Sequence, residues 1–115
     1  ATCRTAFPGH LPIQESDPAR AVADADVIYS DVWTSMGQEA ETAKRLRDFR
    51  GFEVNESLMA KAPAHAKFMH CLPAHRGEEV SAGVMESKAS LVFPQAGNRM
   101  HAQKAILVWL LGGKI

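Results

Sequence analysis

The sequence predicts an α/β fold in which short parallel strands alternate with helices. Apolar runs at 27–30, 67–70 and 90–93 have the length of buried strands, and segments with helical periodicity lie between them. This alternation is typical of a doubly wound, Rossmann-like architecture, in which helices flank a parallel sheet to make three layers. Three strands are few for a complete domain of this class.

The composition is that of one globular domain. The chain has 115 residues, of which 46% are hydrophobic and 23% charged. Its 13 basic and 13 acidic residues give a formal net charge of zero, which favours neither nucleic acid nor a membrane surface as a partner. No uncharged apolar run approaches the roughly 20 residues needed to span a bilayer, and residues 1–6 lack the apolar stretch of a signal peptide. The two cysteines, Cys3 and Cys71, are expected to be reduced thiols in a cytoplasmic protein.

The first half of the chain is predicted to contain a loop over 1–16, a helix from Pro18 to about Ala23, a buried strand at 27–30 and a helix over 38–49. Asp17 favours the first helix start, because aspartate accepts hydrogen bonds from free backbone amides and proline fits the first helical position. The second helix has acidic residues near its start and basic residues near its end, and Gly51 follows it. Its predicted apolar face consists of Ala40, Ala43, Leu46 and Phe49, and its basic residues are expected to be solvated.

The second half is predicted to contain a helix from Asn55 to Lys61, a strand at 67–70, a helical turn at 83–86, a strand at 90–93 and a helix over 98–111. Asn55 is expected to cap the first of these helices. The last helix is apolar on every side toward its end, so we expect it to need cover on more than one face.

Polar residues follow two of the predicted strands. Asp31 follows the first strand and begins a segment with two hydroxyls and a glycine, and Cys71 follows the second, shortly before Pro73. Ligands of open α/β sheets bind beyond the carboxyl ends of the strands, and parallel strands end at the same edge. The sequence therefore predicts a binding site at this edge of the sheet.

These two segments resemble the signature loops of the ornithine carbamoyltransferase family. Residues 70–73 read His-Cys-Leu-Pro, and residues 31–37 read Asp-Val-Trp-Thr-Ser-Met-Gly. A third match, Phe-Pro-Gln-Ala-Gly-Asn-Arg at 93–99, stands where the family has an acidic-Asn-Arg segment. The order and separations of the three motifs also fit, and the resemblance runs from about Asp24 to the end of the chain.

The resemblance implies that residues 1–115 are part of an ornithine-binding domain and that the carbamoyl-phosphate domain is absent. The family forms citrulline and phosphate from L-ornithine and carbamoyl phosphate, without a cofactor, and its members are usually trimers. The phosphate loop and the His-Pro-x-Gln segment of the other domain have no match here; residues 2–5 imitate only part of the phosphate loop's composition. We therefore expect a homo-oligomer, and we expect the isolated chain to be inactive because the reaction needs both substrates held together.

The family motifs assign roles to six residues of this sequence. Cys71, Asp31 and Arg99 are the expected catalytic residues, and Asp31 and Cys71 are expected to lie close to the ornithine amines. Ser35 and the backbone amide of Met36 are expected to hold the amino-acid end of ornithine, and Leu72 is expected to contribute its backbone carbonyl. Arg99 is expected at the carbamoyl-phosphate end, because a guanidinium matches a carbonyl or phosphate oxygen.

Most of these residues also have a purely structural interpretation. Asp31 is a common turn residue, and Ser35 can cap the helix that follows it. A lone cysteine at a strand end is usually a small buried hydrophobe. If its pKa is lowered, Cys71 can act as a thiolate, whereas the resemblance implies a polar partner for the substrate amine.

Three details concern the geometry around these residues. Arg99, predicted near a helix start, can equally pair with Glu78 or Glu79. Gly97 stands where the family usually has an acidic residue, so we expect a looser turn beside Arg99. A cis peptide before Pro73 would aim the Leu72 carbonyl, which the sequence does not decide.

A metal site is not expected. The candidate ligands are His65, His70, Cys71 and His75, and their spacing matches none of the regular paired-ligand patterns. His70 lies on a strand and is expected to point away from Cys71, so one local site cannot easily use both.

Three other functions compete with an ornithine carbamoyltransferase. The first is a stand-alone amino-acid-binding or regulatory module that keeps the ornithine loops without catalysis. The second is a structural remnant that self-associates through exposed apolar faces. The third is a related carbamoyltransferase that acts on another amine or amino acid, although Ser35 and its neighbours favour ornithine.

Overall fold

The computed structural model describes residues 12–35, 37 and 39–114. The predicted loop over 1–16 therefore lies mostly outside the described residues, as does Met36. In chain order the described elements are α1 (Pro18–Ala21), β1 (Val27–Ser30), a 3₁₀ turn (Glu39–Glu41), α2 (Thr42–Asp48), α3 (Glu56–Met59), β2 (Lys67–His70), α4 (Ala82–Met85) and α5 (Val92–Leu110). Helices and parallel strands alternate, which confirms the predicted α/β class.

The two strands pair in parallel and end at the same level. Val27 is opposite Lys67 at one end of the pair, and Ser30 is opposite His70 at the other. Both strands have the predicted bounds. The residues that follow them, Asp31 and Cys71, are therefore placed side by side at the carboxyl edge of the sheet.

Three short helices begin at the side-chain caps that their sequences provide. The Asp17 carboxylate accepts from the Ala19 amide at 2.9 Å, and the Asn55 side chain accepts from the Leu58 amide at 3.0 Å. Ser81 caps α4 in the same way. These bonds satisfy backbone donors that the first helical turn leaves free. The helices at Asp17 and Asn55 are confirmed, and both end earlier than predicted.

The core packs beneath the two strands. Its buried members are Val22, Ile28, Val54, Phe68, Val80, Val84, Met85 and Val92. Phe68 in β2 is fully buried, and Ile28 is the one residue of β1 in this core. The prediction of a buried first strand was wrong, because Val27 and Tyr29 are 49% and 55% exposed. In the described part of the chain β1 pairs only with β2, so its other edge is uncovered.

The predicted third strand at 90–93 is instead the entry to α5. Ser90 makes one isolated parallel bridge to Phe68, and the chain then turns into a helix that begins at Val92, six residues earlier than predicted. Pro94 is compatible with this start, because the first backbone N–H groups of a helix have no intrahelical acceptor to lose. The short apolar run was ambiguous, since periodicity cannot separate a buried strand from the first turn of a helix.

The predicted helix over 38–49 is a 3₁₀ turn at Glu39–Glu41 followed by α2. No residue of α2 is buried, so its predicted apolar face is only partly covered by the described residues. Phe49, just after α2, stacks on Trp33 with ring centroids 5.8 Å apart. Two basic residues of α2 form ion pairs, Lys44 with Asp48 and Arg45 with Glu41.

The last helix, α5, is exposed along most of its length. Val92 is its one buried residue, and four large apolar side chains of its second half are more than half exposed: Ile106, Leu107, Trp109 and Leu110. Among the helices formed by the described residues, none combines the length and apolarity needed to cross a membrane.

Candidate functional site

Asp31 and Cys71 are in direct contact. The Cys71 thiol donates a hydrogen bond to Asp31 Oδ1 at 2.9 Å, and the same oxygen accepts from the Val32 amide at 2.7 Å. Asp31 is exposed and Cys71 is half-buried. The pair follows directly from the strand register, which places Ser30 opposite His70. The predicted meeting of the two strand ends is therefore present, with a carboxylate open to solvent.

The contact shifts the pKa values of its two members in opposite directions. The hydrogen bond from Cys71, and then the one from the Val32 amide, lower the pKa of Asp31, because both stabilise the carboxylate. Burial raises the pKa of the Cys71 thiol, and the hydrogen bond to Asp31 and its negative charge raise it further. Cys71 is therefore a thiol that donates to an ionised carboxylate. The thiolate that the sequence left open is not supported.

The segment after Asp31 is tied to α2. Arg45 Nη1 donates to the Trp33 backbone carbonyl at 3.0 Å, and the Trp33 ring stacks on Phe49. Gly37 has φ +86°, as expected of a turn that a side chain would obstruct. Ser35 is exposed beside this turn, while Met36 lies outside the described residues.

Leu72 lies in a conformation that side chains rarely adopt. Its φ is +56°, and the Leu72–Pro73 peptide is cis. The Leu72 amide donates to His70 Nδ1 at 2.9 Å. The amide of Leu72 is thus turned back toward the end of β2.

His70 faces away from Cys71, into the interior. Its side chain is fully buried, with Nε2 3.4 Å from Glu79 Oε1. Glu79 is also fully buried, and the same oxygen accepts from the His75 amide at 2.6 Å. The sequence had indicated Glu79 only as a partner for Arg99. A buried carboxylate nine residues from a strand-end histidine has no local sequence signature.

Arg99 lies inside α5 and not at a helix start, because the helix begins at Val92. Two cavities of about 570 Å³ each adjoin Cys71, and Cys71, Ala96 and Arg99 line both. Neither Glu78 nor Glu79 pairs with Arg99 in the described part of the chain; both acids instead contact His75. The structure therefore brings Arg99 to the same cavities as Cys71. Gly97 is helical, so the expected loose turn beside Arg99 was wrong.

Gln95 joins α5 to both strands, a role that the sequence analysis missed. Its Oε1 accepts from the His70 amide at 3.1 Å, and its Nε2 donates to the Tyr29 hydroxyl at 3.2 Å. The available signal was its place in the third motif, four residues before Arg99.

The candidate metal ligands are not brought together as one group. Exposed His65 pairs with Asp26, and His70 is buried against Glu79. Within the described residues, the three groups near enough to share an ion are His75, Glu78 and Glu79. Glu79 already accepts a hydrogen bond from the His75 backbone. The expectation that the protein holds no metal stays a prediction.

Known proteins of one family match most of this chain. The family model described as aspartate/ornithine carbamoyltransferase, Asp/Orn binding domain, matches residues 3–110. An ornithine carbamoyltransferase from Oceanobacillus iheyensis is 62% identical over 96 residues, which are 84% of this chain and 30% of that protein. The chain thus spans about a third of the length of the curated relatives it matches.

Solved structures agree in fold as well as in sequence. The ornithine carbamoyltransferase from Pyrococcus furiosus superposes with a TM-score of 0.77 at 57% identity, over 86% of this chain and 32% of that one. The anabolic ornithine carbamoyltransferase from Campylobacter jejuni gives 0.79 at 41% identity, over 84% and 32% of the two chains. These matches confirm the mixed α/β fold with parallel strands and the predicted family resemblance.

Proposed function

We propose that this chain, which belongs to the aspartate/ornithine carbamoyltransferase family, carries the ornithine-binding part of an enzyme that converts carbamoyl phosphate and L-ornithine to L-citrulline and phosphate. The observation that carries the proposal is the contact between Cys71 and Asp31, at 2.9 Å, at the carboxyl edge of a parallel sheet. Two cavities that also reach Arg99 adjoin this contact.

Asp31 and Cys71 suit the amine end of ornithine. An exposed carboxylate with a lowered pKa stays ionised and attracts an ammonium group, and it is a weak base for the same reason. Its role is to bind and orient the δ-amine, which must be uncharged when it attacks the carbamoyl carbon. Cys71, a thiol, is a polar partner for that amine and not a covalent nucleophile. The backbone carbonyl of Leu72 is the further acceptor that we assign to the amine.

The other end of ornithine is assigned to the turn after β1. Ser35 offers an exposed hydroxyl, and the family motif assigns a backbone amide to Met36. Gly37 supplies the positive φ that the turn needs. The proposal therefore separates the two ends of the substrate between the two strand-end loops.

Arg99 is assigned to the carbamoyl-phosphate end of the site. A guanidinium there would stabilise negative charge on the carbonyl or phosphate oxygens as it develops. We assign residues 1–115 to part of the ornithine-binding domain, with a separate carbamoyl-phosphate domain to hold the second substrate. The same family membership leads us to propose a cytoplasmic homo-oligomer, a trimer as is usual in the family, and an inactive isolated chain.

A chimera tests this proposal. The matching segment of the Oceanobacillus iheyensis enzyme is replaced by this chain, and citrulline formation is measured with L-ornithine and with L-lysine, which is one methylene longer. We expect turnover with ornithine, a strong preference over lysine, and no turnover by the isolated chain. A folded chimera that binds ornithine without forming citrulline would instead favour a binding module.

A further inference from the structure

We propose that Glu79 is a positioning residue, whose buried carboxylate fixes both ends of the segment 71–75 and so sets the backbone of Leu72 for ornithine. The assignment of ornithine to this segment rests on the proposed function. The contacts of Glu79 do not rest on that function, and they are testable without any substrate.

The side chain of Glu79 is fully buried, and so is that of His70. A buried carboxylate is costly unless neighbouring groups compensate it. Two groups contact one oxygen, Oε1, which accepts from the His75 amide at 2.6 Å and lies 3.4 Å from His70 Nε2, while Oε2 has no hydrogen-bond partner among the described residues. The Glu79 side chain thus contacts both His70, which precedes the segment 71–75, and His75, which ends it.

The bond from the Leu72 amide determines which nitrogen of the His70 ring carries the proton. A backbone N–H can only donate, so the 2.9 Å bond from the Leu72 amide requires a lone pair on His70 Nδ1. The ring proton must then lie on Nε2, the nitrogen that faces Glu79. A carboxylate at that position favours this tautomer, since it attracts the Nε2–H dipole. At 3.4 Å the contact is longer than an ordinary hydrogen bond and acts electrostatically.

The tautomer of His70 determines whether the Leu72 amide keeps its acceptor at Nδ1. A φ of +56° is unfavourable for leucine, whose Cβ crowds the backbone in this region. The bond from its amide to His70 Nδ1 holds it there, and the bond from the His75 amide to Glu79 fixes the far end of the same turn. The direction of the Leu72 carbonyl therefore depends on Glu79 through two separate contacts.

Nuclear magnetic resonance of the 115-residue chain tests these contacts directly. Imidazole ¹⁵N shifts report the tautomer of His70, and amide hydrogen exchange reports the protection of Leu72 and His75. We expect the Nε2–H tautomer in the wild type, and exchange at Leu72 at least about tenfold faster in Glu79→Leu. Glu79→Gln keeps an acceptor oxygen and is expected to restore most of the protection.

Two variants of His70 distinguish the roles of its two ring nitrogens, Nδ1 and Nε2. His70→Asn places an amide near the position of Nδ1, so Leu72 is expected to keep much of its protection. His70→Gln reaches toward Glu79 instead, and Leu72 is expected to lose protection. If Glu79→Leu does not fold, the wild-type tautomer of His70 decides, and this pair tests whether the acceptor at Nδ1 holds the Leu72 amide. A wild-type ring protonated on Nδ1, or equal Leu72 exchange in all variants, would overturn the proposal.

Kinetics of the chimera test the consequence for ornithine. A misplaced carbonyl in Glu79→Leu is expected to raise the KM for ornithine by about tenfold and leave the KM for carbamoyl phosphate unchanged, with rescue by Glu79→Gln. Equal effects on both substrates would reduce Glu79 to a structural role. If the wild-type chimera forms no citrulline, the proposed function fails, while the resonance measurements still judge the contacts of Glu79.

Discussion

Cys71 donates its thiol hydrogen to Asp31 Oδ1 at 2.9 Å, across the ends of two parallel strands. Burial of the thiol, together with the hydrogen bond and charge of Asp31, raises the pKa of Cys71 above its ordinary value of 9.0. The pKa of Cys71 is thus higher in the folded than in the unfolded chain. The contribution of the protonated thiol to folding stability is therefore complete below the ordinary pKa and is lost as the pH rises through the raised pKa. The fold therefore favours a protonated, slowly reacting thiol.

Alkylation of Cys71 by iodoacetamide as a function of pH checks this directly. In a Cys3→Ser background, which leaves Cys71 as the single cysteine, the midpoint of reactivity is expected above 9.0. Asp31→Asn is expected to lower the midpoint, because the neutral amide no longer opposes the thiolate. Asp26→Asn is the matched control, since that carboxylate pairs with His65 instead. A midpoint that Asp31→Asn leaves unchanged would contradict the assigned cause.

Gln95 is expected to stabilise the fold through the strand end. Gln95→Met keeps the length of the side chain but leaves the His70 amide without its acceptor, which is expected to cost about 1–3 kcal/mol of unfolding free energy. Tyr29→Phe removes the second contact, at an exposed hydroxyl, together with the hydrogen bond between Tyr29 and Cys71, and is expected to cost less than about 1 kcal/mol. Urea denaturation of both variants and of the double variant measures the two contributions. Equal losses in the two single variants would show that the His70 contact is not the important one.

Gly97 weakens α5 without any compensating need for glycine. It lies in the helix, and a Cβ there would meet no heavy atom within 4 Å. Gly97→Ala is therefore expected to raise the free energy of unfolding by about 0.5–1 kcal/mol. Gly37→Ala makes the same chemical change at a φ of +86° and is expected to be destabilising. Thermal or urea unfolding measures the free energy of unfolding of both variants. A loss of stability in Gly97→Ala would contradict the prediction.

Arg45 is expected to matter for ornithine although it lies outside the two signature loops. Its bond to the Trp33 carbonyl holds the segment between Asp31 and Ser35. Arg45→Met in the chimera is expected to raise the KM for ornithine by about 2- to 10-fold, the equivalent of one hydrogen bond. Lys44→Met removes a neighbouring ion pair that does not touch this segment and is expected to have no such effect. Similar KM values for the two variants would argue against the anchoring role.

The sequence was sufficient for the parts of the fold that short-range signals determine. The bounds of β1 and β2 follow from apolar runs, and the caps at Asp17 and Asn55 follow from the chemistry of helix starts. Asp31 and Cys71 were expected to meet because parallel strands end at one edge. The strand bounds and the caps need only short-range signals, whereas the meeting of Asp31 and Cys71 also needs the rule that parallel strands end at one edge.

Other features depend on contacts that the sequence does not encode locally. The run at 90–93 has a strand-like composition, yet only Ser90 finds a strand partner before the chain turns into α5. The burial of Glu79 beneath His70 arises because the chain folds back through 75–80, and no spacing rule predicts it. Gln95 likewise gains its role only when α5 crosses the ends of β1 and β2.

The most direct test of the account is the kcat/KM for ornithine of the chimera with and without the Asp31 carboxylate. Asp31→Asn is expected to lower this value by at least about 100-fold, because a paired charge at the amine is lost, and to leave the KM for carbamoyl phosphate unchanged. Asp26→Asn is expected to behave as the unaltered chimera. An Asp31→Asn chimera that keeps its kcat/KM for ornithine within about twofold would contradict the assignment of the ornithine amine to the Asp31–Cys71 pair.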